Sequence, residues 1–151
     1  MDSWNIYGLT VVILFLKMFA MVLVQGYGRY KHRGFDNPED AAMFDKLFGS
    51  KPDATKQSQL VDRAQNVLRN DGENIPIFLF MAMTYVQLGC WSKGVAIYLP
   101  LFAIGRISHT ISYLKALQPW RNLSYQLGLW VTFAMAGHVV WQSTLMVLLN
   151  Q

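Results

Sequence analysis

Charge is scarce in this chain, and unevenly so. Only 15% of the 151 residues are Asp, Glu, Lys or Arg, against roughly 25% in average soluble proteins. Residues 74–92 and 122–151 carry no formal charge at all. There is one cysteine, Cys90, which excludes an internal disulfide and a thiolate metal cage. No zinc-ligand spacing, glycine-rich phosphate loop, Ser-His-Asp order or internal repeat is present, so the sequence points to no metal site. The net charge of +4 does not indicate a nucleic-acid partner. The basic residues flank apolar blocks and form no stripe with interleaved aromatics.

What is abundant is apolar surface: 53% of residues are hydrophobic. They fall into blocks at residues 4–28, 74–92, 94–114 and 122–151, interrupted only by Lys17 and Arg106. Each block is close to the ~20 residues a helix needs to cross a bilayer. Strands would need an alternating pattern and barrel closure, and the alternation is absent. The expected fold is therefore all-α, an integral membrane four-helix bundle forming one domain over residues 1–151. Its helices are expected at about residues 4–33, 60–91, 94–116 and 120–148, with a cytosolic loop between the first and second. The first block lacks a basic start and a small-residue cleavage site, so it reads as a retained helix rather than a signal peptide. Asn37-Pro38 predicts a short helix in the loop, since Pro suits a first helical position. Ten of the thirteen basic residues lie in that loop or in the link holding Lys115 and Arg121. The positive-inside rule then puts both connections in the cytosol and both chain ends in the lumen.

Several polar groups break the oily pattern. Arg69 and Glu73 are four apart, with Asn66 and Asn70 on the same stretch. Arg106, His109 and Tyr113 share one helical face, as do Arg121 and Tyr125. A cation within a membrane costs at least about 2.5–3.5 kcal/mol on insertion scales, so such groups face a partner or a wet cavity. Lys17 is expected to pair with an acid such as Glu73. His138 and Cys90 read as structural. The expectation is that Arg69, Arg106 and Arg121 gather at the cytosolic end of the bundle with only Glu73 to neutralise them. That surplus asks for an anion. A ligand with two carboxylates and an ammonium fits arginine forks beside a glutamate, and glutathione has that charge pattern. Its thiol would be driven toward the thiolate by a neighbouring guanidinium.

The stretches "VDRAQNVLRNDGENIPIFLF", "GRISHTISYL", "PWRNLSY" and "NPEDA" resemble the membrane-associated proteins in eicosanoid and glutathione metabolism, the MAPEG family, from Lys17 to the fourth helix. The likeness is to its glutathione transferase and prostaglandin E synthase branches. It implies a homotrimer in the endoplasmic reticulum membrane, or also the mitochondrial outer membrane, with its active site facing the cytosol. It implies glutathione and a hydrophobic electrophile arriving through the lipid bilayer as the partners. Carried over by motif, Arg29, Arg69, Asn70, Glu73, His109, Tyr113, Arg121 and Tyr125 bind glutathione. The resemblance further implies that Arg121 stabilises the thiolate and that Asp40 assists in a synthase-like reaction. Conjugation is the expected activity, with peroxidase action on lipid hydroperoxides beside it; endoperoxide isomerisation or a non-catalytic lipid-presenting role are the alternatives. The chain departs from the family where an "RAH" triplet commonly precedes this motif, since Asn66 and Leu68 stand there. It also has Asn122 after Arg121, where the synthase branch has serine.

Overall fold

A computed structural model describes residues 2–32, 34–35, 37–49 and 59–149. They form five helices: α1 (Ser3–His32), α2 (Pro38–Phe48), α3 (Gln59–Gln87), α4 (Ser92–Leu114) and α5 (Trp120–Leu149). No strand occurs among the described residues, as the sequence predicts. The short helix after Asn37 is present, with Pro38 in its first turn and Gly49 ending it in the left-handed region at φ 63°. Arg33, at the end of the predicted first helix, and loop positions 50–58 lie outside the described residues.

Three helices, α1, α4 and α5, are long and apolar enough to cross a membrane. The expected fourth span, α3, is not among them. Its middle carries the polar run of Arg69, Asn70, Asp71, Glu73 and Asn74. It also stops at Gln87, four residues before the predicted end. Gly89, at φ +61°, causes the stop. The Gly89 amide donates to the Val86 carbonyl at 3.1 Å and the Cys90 amide to Tyr85 at 3.2 Å. This is the Schellman pattern, which turns the chain out of a helix through a left-handed residue. The same pattern ends α4 through Ala116, at φ 58°. The all-α membrane architecture is thus present, with three helices of membrane length and composition beside a more polar α3.

The chain packs as two compact units, Met1–Lys17 with Asp71–Gln151, and Met18–Asn70. In the first, Phe78 of α3 stacks on Phe102 of α4 with ring centroids 3.5 Å apart and planes 4° from parallel. Leu14, Ala82, Tyr85, Leu99 and Met135 are buried with them. In contrast, Phe15, Phe19, Trp130, Phe133, Val140 and Trp141 are exposed. So much uncovered apolar surface is what a lipid-facing protein presents. α4 and α5 approach closely at paired glycines. A Cβ on Gly105 would meet the Ser124 carbonyl oxygen at 3.3 Å, and one on Gly128 would meet the Phe102 ring at 3.5 Å. Small residues at such crossings let membrane helices touch along their backbones.

Gly105→Val is therefore expected to destabilise by about 1–3 kcal/mol, because backbone rather than a flexible side chain blocks the new atoms. Gly137→Ala, whose Cβ meets nothing within 4 Å, should be neutral or mildly stabilising, since alanine favours the helix. Thermal midpoints of the two variants in one detergent check the contrast.

In the second unit, Tyr30 of α1 contacts Phe44 and Phe48 of α2 edge-on, at 5.7 and 5.9 Å. Gly28 of α1 leaves room for Val61 of α3.

Candidate functional site

Asp71 is the centre of the charged groups in the first unit, and sequence reasoning missed it. Its side chain is fully buried. Arg106 donates to Oδ1 through Nη2 at 2.5 Å and Nε at 3.2 Å. Lys17 Nζ pairs with Oδ2. The expected pairing of Lys17 with an acid is present, but the acid is Asp71 and not the exposed Glu73 offered as the example. The signal was available in the spacing. Asp71 precedes Ile75, Phe78, Ala82 and Tyr85 by steps of four, three, four and three, and all five are buried. Glu73 lies off that stripe. Arg106 sits on the equivalent stripe of α4, with Val95, Leu99, Phe102 and His109.

This pairing corrects the expected arginine cluster. Arg106 is not a free cation awaiting an anion, because Asp71 already neutralises it. Lys17 and Arg106 share one carboxylate, which leaves a single positive charge in excess in the triad.

One turn along α4, four predicted residues of the first unit converge, His109, Tyr113, Arg121 and Tyr125, while Glu73 of the same unit is exposed on α3. The His109 ring lies 5.7 Å from Tyr113 and 6.1 Å from Tyr125, centroid to centroid. The Arg121 guanidinium lies over the Tyr113 ring at 4.8 Å, a cation–π contact. With the Gln118 amide oriented to satisfy both groups, its oxygen accepts from Arg121 Nε at 3.1 Å and Nη2 at 2.5 Å. His109 Nδ1 is buried and makes no hydrogen bond among the described residues. A buried imidazole nitrogen left without a partner is costly, and a polar ligand atom would satisfy it. Arg121 is only half-buried, so its fork of donors can still meet an anion.

The other predicted residues belong to the second unit. Arg69 is exposed, and its Nη2 donates to Asn66 Oδ1 at 3.0 Å. Asn66 thus gives Arg69 an acceptor at the place where the family pattern would set a second arginine beside it. Asp40 is exposed and accepts from Asn37 Nδ2 at 3.0 Å. Arg29 and Asn70 are half-buried.

Cys90 cannot supply a nucleophile at the cluster. It lies in the α3–α4 connection, and burial pushes its thiol pKa up. The reactive species is the thiolate, so at neutral pH less of Cys90 is ionised than of an exposed thiol. Maleimide labelling of the folded protein is expected to be slow near pH 7, to accelerate as pH rises beyond the ordinary thiol range, and to become fast on denaturation. A rapid reaction at neutral pH would contradict this.

The family model described as the MAPEG family matches residues 7–141. Prostaglandin E synthase of Equus caballus is 33% identical over 132 residues, covering 87% of this chain and 83% of the relative. The Mus musculus protein of the same name is 34% identical over 133 residues, covering 86% and 82%. Microsomal glutathione S-transferase 1 of Homo sapiens is 37% identical over 128 residues, covering 82% and 80%. A match of that extent, on a chain with three membrane-length apolar helices, makes this a membrane protein that belongs to the MAPEG family.

Proposed function

We propose that this protein is a membrane-bound glutathione transferase that joins glutathione to hydrophobic electrophiles. The observation that carries the reading is Arg121, held over Tyr113 beside His109 and Tyr125, in a chain 37% identical to a microsomal glutathione S-transferase. Glutathione is the co-substrate. Its thiol loses its proton to water, and the Arg121 guanidinium stabilises the resulting thiolate. Sulfur then bonds to the electrophilic carbon while the leaving group departs with its electron pair. His109 and Tyr113 hold the peptide, and by the resemblance Arg29, Arg69, Asn70, Glu73 and Tyr125 contribute to binding. Catalysis comes from positioning and from a larger fraction of thiolate. Attack of the same thiolate on a lipid hydroperoxide would break the O–O bond and release the lipid alcohol, and a second glutathione would convert the resulting sulfenic acid to glutathione disulfide and water, a peroxidase activity. The electrophile reaches the protein through the bilayer, in keeping with its exposed apolar helix faces. We place the protein as a homotrimer in the endoplasmic reticulum membrane, or also the mitochondrial outer membrane, with the α4–α5 link toward the cytosol.

A second reading, isomerisation of a prostaglandin endoperoxide with Asp40 assisting, is favoured by relatives named prostaglandin E synthase at 31–34% identity. One set of experiments on purified protein in detergent separates the readings. Calorimetric binding of glutathione, with turnover of an activated aryl chloride, supports the transferase. Much faster turnover of a prostaglandin endoperoxide supports the synthase. Binding without any turnover points to a lipid-presenting relative, and absence of binding removes all three.

A further inference from the structure

Away from the His109 cluster, the first unit holds a concavity that conjugation does not use. A cavity of about 430 Å³ is lined by Cys90, Trp91, Tyr98, His138, Trp141 and Gln142. Tyr98 precedes His109 by 11 positions on α4, roughly 16 Å along a helix, so the two places are distinct.

Hydrogen bonding fixes the tautomer of the histidine in this wall. The buried Tyr85 hydroxyl is 3.0 Å from the Trp91 carbonyl oxygen and 3.1 Å from His138 Nδ1. A carbonyl only accepts, so the single phenolic hydrogen goes to Trp91. His138 Nδ1 must then donate to the phenolic oxygen. The neutral imidazole therefore carries its other nitrogen, Nε2, as a bare lone pair. Since Nδ1 is turned to Tyr85, Nε2 is the nitrogen left for the cavity. Aromatic rings surround it: Tyr98 lies 5.7 Å and Trp91 6.0 Å from the imidazole, centroid to centroid.

Chemistry then narrows the guest. An anion would face a lone pair. A cation would find no carboxylate in the lining, while Lys93 and the positive end of the α4 dipole stand beside Trp91. A metal ion would find few donors, because no group of three His, Cys, Asp or Glu exists among the described residues. The Cys90 thiol also donates to the His138 carbonyl at 3.9 Å rather than pointing a thiolate inward. What remains is a neutral hydrogen-bond donor with an apolar body. The bilayer is its source, since Trp91 and Trp141 are 50% and 67% exposed on a chain with membrane-length helices.

We propose that this cavity binds a neutral, hydroxyl-headed lipid of the sterol type, its hydroxyl donating to His138 Nε2 and its flat apolar body lying against Trp91, Tyr98 and Trp141. The probe is a photoreactive cholesterol analogue added to the full-length protein in phosphatidylcholine vesicles, with adducts mapped by mass spectrometry. Adducts are expected on residues 90–98 and 138–142. Cholesterol should compete roughly 5–10-fold better than its 3-O-methyl ether, the worth of one neutral hydrogen bond. His138→Phe should erase the difference between alcohol and ether, and Trp141→Ala should lower labelling generally. Equal competition by the ether in the unaltered protein, which needs no variant to fold, overturns the proposal and leaves an interfacial aromatic belt. Adducts confined to other segments overturn it too. So does zinc binding that His138→Phe abolishes, which would make Nε2 a metal ligand instead.

Discussion

Asp71→Ala is expected to unfold the first unit's core more than any other single substitution of a polar residue. Asp71 pairs with both Lys17 and Arg106, and all three side chains are buried. Removing it leaves two like charges in an apolar interior. Breaking a buried ion pair from one side costs about 3–5 kcal/mol, which corresponds to a fall in thermal midpoint on the order of 10 °C for a chain of this size. The asymmetry of the triad gives a sharper test. Lys17→Met removes the surplus cation and leaves the Arg106–Asp71 pair intact, so it should cost far less than Asp71→Ala. A Lys17→Met, Asp71→Asn double variant should be more stable than Asp71→Asn alone, because only one cation is then stranded. Equal losses for Lys17→Met and Asp71→Ala, measured as thermal midpoints in detergent, would show that the triad is not coupled in this way.

The same triad shows how far the sequence could be read. Helical spacing alone aligned Arg106, His109 and Tyr113, and the structure puts His109 and Tyr113 together because both stay on the buried side of α4. Arg121 and Tyr125 were legible for the same reason, one turn into α5. Asp71 was hidden by its neighbours. Within "RNDGEN" the eye follows the exposed Arg69 and Glu73, although the buried stripe of α3 runs through Asp71. Partners between helices were harder still, since spacing along one helix carries no distance to another, and an acid for Lys17 was expected without Asp71 being singled out. The length of α3 failed for a local reason. The uncharged block from 74 to 92 reads as helix to its end, but Gly89 stops α3 at Gln87 through a left-handed turn that composition does not reveal. The cavity beside His138 was not legible at all. It depends on Tyr85, Trp91 and His138 meeting across 53 residues of sequence.

Arg121→Ala should reduce kcat/KM for conjugation by about 10²–10³-fold, the usual cost of removing one donor that stabilises an anion in the reacting state. If Arg121 acts on the thiolate and leaves the peptide's carboxylates to other groups, the effect should fall mainly on kcat. The pH profile decides the point. A guanidinium beside the bound sulfur favours the ionised form, so the bound thiol titrates below its free value and the rate rises with pH through that lowered range. Without Arg121 the acid limb of the profile moves to higher pH, and activity lost at neutral pH is partly recovered in alkaline buffer. Arg121→Lys keeps the charge but not the planar fork. It also weakens the contact with Tyr113, whose ring now steadies the guanidinium at 4.8 Å, and should therefore fall between the two. A variant that raises KM with an unchanged pH profile would assign Arg121 to a carboxylate of the peptide. The thiolate would then need another stabiliser, with Tyr113 and Tyr125, whose rings lie beside His109, the groups to test by phenylalanine substitution.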